Sequence, residues 1–259
     1  MSMNELPETF RDAIQITRAL GIRYLWIDAL CIVQGDKEDW TREAAAMAAV
    51  YGSSRVTISA LDSEDSMKGL FLTKQKTVWG VGPLPHCTDA AGFDAYVRSA
   101  QRTLDSVVER APLNQRGWAL QERIVAPRVL HFSKQQVFWE CRTRYYAESG
   151  DSATVKPLLK TMYGWLPGLL GDLIDSDLYL SWYALVEDYT MRELTYDTDK
   201  LPAVLALAVE FEARLDCAYI HGLWNADLNR GLLWHTNAPH RIRSRRRSVP
   251  EPLRAPATI

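Results

Sequence analysis

Phe10, Ala13, Ile14, Thr17 and Leu20 recur at three- and four-residue steps. That spacing predicts a helix over residues 7–20, with Pro7 suited to its first turn and Gly21 to a left-handed stop. Residues 22–27, Ile-Arg-Tyr-Leu-Trp-Ile, are apolar on both faces except at Arg23, the pattern of a strand buried inside a sheet. Asp36 can cap a second helix, in which Trp40, Ala44, Met47, Ala48 and Tyr51 form one stripe before Gly52. Residues 55–60, Arg-Val-Thr-Ile-Ser-Ala, read as the next strand. Helix, buried strand, helix, strand is the grammar of an α/β layer, a mostly parallel sheet flanked by helices.

Further along, residues 78–84 and 93–98 read as short strands punctuated by Gly80, Gly82, Pro83 and Pro85. Residues 114–123 fit a short helix, and residues 128–133 with 136–141 fit a hairpin around Lys134. From Ser176 the pattern turns helical: Leu178, Trp182, Leu185, Val186 and Tyr189 stripe one helix, and residues 201–215 form a second. Residues 239–259 mix Arg, Pro and Ser without periodicity and predict disorder. The expected organisation is an α/β domain with an added β-hairpin over residues 1–145, a helical region over 146–238, and a basic tail over 239–259.

Composition narrows the function classes. Among 259 residues, 47% are hydrophobic and 24% charged, enough apolar material for a sizeable core. The formal net charge of −2 creates no global field toward nucleic acid or anionic lipid, so neither is an expected partner. The exception is the tail, with Arg241, Arg243, Arg245, Arg246, Arg247 and Arg254. The N-terminus has no secretory pattern, and no apolar run reaches the roughly 18–20 residues of a membrane span. A cytoplasmic location is therefore expected. Cys31, Cys87, Cys141 and Cys217 are too dispersed for a metal knuckle, and His86 beside Cys87 has no matching second pair, so neither metal nor cofactor is expected. No P-loop, dinucleotide fingerprint, nucleophile elbow or zinc-protease motif occurs.

Two groups of residues carry candidate chemistry. Asp28 follows the expected strand at its carboxyl end, where open α/β sheets place ligand-binding groups, with Cys31 and Gln34 on the succeeding loop. The alternative is that Asp28 caps the loop and Cys31 fills the core. Arg116, Trp118, Gln121 and Glu122 form the second group, the last three at helical spacings that let them share a face. Arg116 can clamp a phosphate or carboxylate, Trp118 can stack on a base, and Glu122 can act as an acid or base. In the structural alternative, Arg116 bridges to an acid such as Asp28 and Trp118 fills the core.

Three segments also carry a family resemblance. The first runs from Leu20 through Trp26, Asp28, Cys31 and Gln34, and continues through Trp40, Met47 and Tyr51 to Ile58. The second is Leu113-Asn-Gln-Arg-Gly-Trp-Ala-Leu-Gln-Glu-Arg123, followed by Leu130-His-Phe132 and Phe138-Trp-Glu-Cys141. The third spans Trp182 to Thr195, Asp199 to Leu201, Gly222 to Trp224 and Leu233-Trp234. Together they resemble the heterokaryon incompatibility (HET) proteins of filamentous fungi. The family's usual opening block, approximately Tyr-x-x-Leu-Ser-Tyr-x-Trp-Gly, lies upstream of where this sequence starts. At the other end, Leu253-Arg-Ala-Pro256 matches the start of a family segment that is then cut short.

The resemblance implies a TIR-like or flavodoxin-like core and a role in self/non-self recognition and programmed cell death. It also implies self-association and partners among receptor or death-pathway proteins. Some TIR domains cleave the glycosidic bond of NAD with a glutamate on the helix after a central strand. Trp40-Thr-Arg-Glu43 is similar to the Trp-x-x-Glu of that helix, which makes Glu43 the implied catalytic acid, Trp40 a ligand contact and NAD the implied substrate. A carboxylate there suits the oxocarbenium-like state through which nicotinamide is lost. A non-catalytic adaptor and an inactive, truncated paralogue are the alternative readings.

Overall fold

The computed structural model describes residues 2–72, 82–88, 94–97, 102–154 and 175–234. The first helix, α1 (Glu8–Ala19), starts after Pro7 and buries Phe10, Ala13, Ile16 and Thr17. Gly21 follows with φ +68°, the left-handed conformation that ends a helix at little cost only in glycine. Helix α3 (Lys37–Ser53) is capped as expected, the Asp36 carboxylate accepting the backbone N–H of Glu38 and Asp39.

Residues 22–27 depart from expectation, for they belong to no helix and no sheet. Ile27 is buried among the core side chains, Leu25 and Trp26 are half-buried, and Tyr24 is 81% exposed. An extended chain becomes a strand only when a neighbour accepts its backbone hydrogen bonds. Among the described residues, the nearest strand in sequence, β1 (Thr57–Ala60), forms its ladder with β4 alone. The segment leads instead into a one-turn helix, α2 (Asp28–Cys31).

The main sheet has the order β1-β4-β5-β6-β7, where β4 is Arg128–Phe132, β5 Val137–Cys141, β6 Arg144–Ala147 and β7 Ser152–Thr154. Parallel character is confined to the β1–β4 pair, with Thr57 beside Val129 and Ala60 beside Phe132. The other ladders are antiparallel. This corrects the mostly parallel sheet expected from the N-terminal pattern. The connections after β4 are short turns, which can only reverse the chain, whereas the long 61–127 crossover returns it parallel. The β4–β5 hairpin lies where the sequence placed it. A separate pair, β2 (Gly82–Thr88) with β3 (Asp94–Val97), sits within the crossover, shifted a few residues from the expected strand at 78–84. The expected disordered tail lies outside the described residues.

Two apolar clusters organise the interior. One gathers α1, Ile27, β1 and the sheet around Phe132, Phe138 and Tyr145, with α4 (Leu104–Val108) against it. The other joins α3 and α5 (Gly117–Val125) to α6 (Asp175–Thr190) and α7 (Pro202–Leu215). At its centre the Trp182 ring meets Phe211, Tyr219 and Trp224 at 5.3, 5.6 and 5.2 Å, and its indole N–H donates to the Gly222 carbonyl at 2.9 Å.

Helix α5 belongs to both clusters, and its start is clamped from the C-terminal side. The Gly117 N–H donates to the Glu193 carbonyl at 2.8 Å, and a Cβ at Gly117 would lie 2.5 Å from Leu194 Cδ2 and 2.9 Å from its Cγ. Gly117→Ala should therefore cost about 1–3 kcal/mol by overpacking. Urea denaturation checks this. A variant as stable as the parent would mean that Leu194 gives way freely.

Candidate functional site

Asp28 is the first residue of α2, and its Oδ1 accepts the Ala29 N–H at 2.6 Å. Burial lifts the carboxyl from its ordinary 3.8 to about 6, opposed by that N–H and by the charge of Arg116. Arg116 is half-buried at the N-cap of α5. Tyr51, from the last turns of α3, is buried beside them, with Trp26 standing edge-on to its ring at 5.7 Å. Burial holds the Tyr51 hydroxyl well above its usual range, and the charges of Glu122 and Asp28 raise it further, while Arg116 pulls it back. Four polar groups from three elements thus converge: Asp28, Tyr51, Arg116 and Glu122.

Glu122, buried on α5, connects this cluster to a second one. It lines a narrow cavity with Arg123, Thr57 and Ser59 of β1, Asn114, and His131 of β4. The cavity holds about 20 Å³, room for one water molecule. Thr57 and Ser59 share a sheet face with Val129 and His131 because the parallel register sets them side by side. Behind His131 stands Glu140 of β5, fully buried. Its Oε2 lies 2.7 Å from His131 Nε2, and its two oxygens accept Arg123 Nε and Nη2 at 3.0 Å each. An ionised carboxylate only accepts, so His131 carries its proton on Nε2. Burial lowers the Arg123 guanidinium, but the charge and hydrogen bonds of Glu140 outweigh it and hold the pKa above the ordinary value.

The other sequence candidates are placed differently. Trp118 packs edge-on to Trp40 at 6.4 Å, and its indole N–H donates to Asp199 Oδ2 at 3.2 Å. Gln121 is turned to the helical layer, where its Oε1 accepts the Ala206 N–H at 3.2 Å. Gln34 is exposed, its amide donating to the Ile32 carbonyl at 3.0 Å. Glu43 shares the α3 stripe with Trp40, Met47 and Tyr51 and is 3.5 Å from Arg42 Nε. The side-chain charge that acts on Asp28 is that of Arg116. Cys31 is exposed, against the expectation of a buried thiol.

Residues 1–122 match the family described as Heterokaryon incompatibility protein (HET). Over this stretch the chain is similar to HET domains. The comparison with curated proteins finds no match, and neither does the comparison with solved structures. The matched stretch contains Asp28, Tyr51, Arg116 and Glu122, while His131, from beyond its end, lines one cavity with Glu122.

Sequence reasoning missed Tyr51, His131, Glu140, Arg123 and Asp39 as polar centres. Asp39 is buried, accepts the Val33 N–H at 2.7 Å and pairs with Arg42, which fixes the loop after α2. The available signal for His131 and Glu140 was alternation, since both occupy inward positions of otherwise apolar strands. Among the described residues, no three His, Cys, Asp or Glu side chains gather as a metal site. His86 and Cys87 lie in β2, whose side chains are outside that set. Among the same residues, no helix is long and apolar enough to cross a membrane.

Proposed function

We propose that the chain is a cytoplasmic module of fungal self/non-self recognition that promotes incompatibility-type cell death, and that its HET domain cleaves the N-glycosidic bond of NAD or a related nucleotide. The observation that carries this reading is the half-buried Asp28 carboxyl, lifted to about 6, in company with Glu122, Tyr51 and Arg116. At neutral pH Asp28 is mostly ionised yet poorly solvated, the state in which a carboxylate best stabilises a developing oxocarbenium ion. Arg116 supplies a cation for a phosphate oxygen, and the exposed Trp40 supplies a ring surface on α3. In the reaction, water adds to the ribose carbon, nicotinamide leaves with the bonding pair, and one proton is released. In this reading Glu122 takes that proton, and Glu43 is a second candidate acid.

The test is incubation of the purified chain with NAD, followed by chromatography of released nicotinamide. Asp28→Asn and Glu122→Gln should each lower release about a hundredfold or more with folding intact by circular dichroism. Equal loss in Glu43→Gln would move the catalytic acid to Glu43. A parent protein that releases no nicotinamide overturns the enzymatic reading.

A second reading, a non-catalytic adaptor, is favoured by one observation. Leu20, Tyr24, Leu30 and Val33 are exposed on the segment around residues 22–27, where solvent-facing apolar groups suit a protein partner or a second copy. Full toxicity of an Asp28→Asn/Glu122→Gln chain in fungal cells would select it. Either role is expected to need clustering, so an artificially dimerised chain should be more toxic than a monomeric one at equal expression.

A further inference from the structure

The sheet has a second face, turned away from His131 and Glu140. Arg128 lies opposite Cys141, and Glu140 opposite Tyr145, so Arg144 follows as the neighbour of Cys141 across the turn at Arg142 and Thr143. Strand alternation then sets Arg128, Cys141 and Arg144 in one row on this face. The next row is Leu130, Trp139 and Tyr146, continued by Ser152 of β7. Arg128 and Arg144 are exposed, Trp139 is half-buried, and the Tyr146 ring is 49% exposed.

The end of the sheet carrying the first row is basic. Arg128 Nη1 donates to the Arg55 carbonyl at 3.5 Å, bringing another exposed arginine to the same end. The segments 53–57, 126–129 and 141–144 that build it contain four arginines and no carboxylate. Burial, and then the charge of Arg128, push the Arg142 guanidinium below its ordinary value. Among the described residues of these strands, Glu140 points to the opposite face, and Glu148 accepts the Val137 N–H at 3.2 Å at the far end. The exposed Arg128 and Arg144 beside the exposed Tyr146 ring are a local feature that the overall charge of −2 hides.

We infer that this face binds single-stranded nucleic acid, with bases stacked on Tyr146 and Trp139 and phosphates held by Arg128 and Arg144. The rows are about 7 Å apart along the strands, and Arg128 and Arg144 are about 10 Å apart across two strand spacings. A strand laid along the rows can therefore meet more than one arginine while presenting bases to the rings. A duplex hides its base faces and would leave the rings unused, whereas a single strand offers them with little regard to sequence. The inference is independent of the NAD reading, because it uses the opposite face of the sheet.

Fluorescence anisotropy of the full chain with a labelled oligothymidine and an oligouridine, at low salt, tests it. Tyr146→Ala should weaken binding about tenfold. R128E/R144E should weaken it at least as much and make the dependence of log K on log salt shallower by about 1.4, the value for two lost phosphate contacts on a single strand. Both variants alter surface positions, and circular dichroism confirms their fold. No binding by the parent chain, or unchanged binding by both variants, overturns the inference. Loss in R128E/R144E with none in Tyr146→Ala also overturns it, since that result describes a basic patch without a stacking platform. A free mononucleotide that binds as tightly as the oligomers overturns the choice of a strand as the ligand.

Discussion

Asp28→Asn should make the protein more stable at neutral pH while removing its proposed activity. The folded carboxyl titrates near 6 against an ordinary 3.8, so between those pH values the folded state holds a proton that the unfolded chain releases. Stability from this group is intact below pH 3.8, falls as pH rises through that window, and is constant above about 6. A shift of roughly two units corresponds to about 3 kcal/mol at pH 7, as an upper figure for a half-buried group. Asparagine keeps an oxygen for the Ala29 N–H without the charge, so the variant should gain up to that amount at pH 7 and little near pH 4. Urea titrations of both proteins at the two pH values, beside the nicotinamide assay, check it. A variant less stable than the parent at pH 7 would show that Arg116 stabilises the ionised form more than burial penalises it.

Glu140→Ala should destabilise the chain by about 3–5 kcal/mol, because it leaves the Arg123 guanidinium and the His131 ring in the interior without the carboxylate that both contact. The loss comes from the uncompensated partners more than from the pair itself. Replacing all three side chains with apolar residues of similar volume, as in Arg123→Met/His131→Phe/Glu140→Leu, should therefore recover most of the stability. Thermal and urea unfolding of the single and triple variants measure this. If the triple variant were as unstable as Glu140→Ala, the cluster would be needed for the fold itself. Because His131 and Glu122 line one cavity, the single variant should also disturb the proposed site from behind.

Several elements were legible locally. Helix α1, the Asp36 cap of α3, the β4–β5 hairpin and the Trp182 stripe each depend on spacing or on a cap within one segment, which the chain declares without reference to anything distant. Candidate site residues were legible to the same extent. Asp28, Arg116 and Glu122 were each marked by residue type and position, and the fold brings all three to Tyr51, a residue read only as part of an apolar stripe.

What the sequence determined by itself was periodicity, capping and residue blocks that resemble HET proteins, of which residues 1–122 match the family. What only the tertiary structure decided was pairing. Residues 22–27 have the composition of an interior strand, yet strand character requires a hydrogen-bonded neighbour, and none of the described strands pairs with them. Gln121 and Trp118 have the spacing of a ligand-binding face, yet the helical layer claims both, through the Ala206 N–H and the Asp199 carboxylate. His131 and Glu140 are nine residues apart in sequence and 2.7 Å apart in space because a hairpin folds one strand onto the next. The physical reason is common to these cases. A side chain's intrinsic chemistry is local, but its solvation, charge environment and hydrogen-bond partner belong to whatever distant segment packs against it.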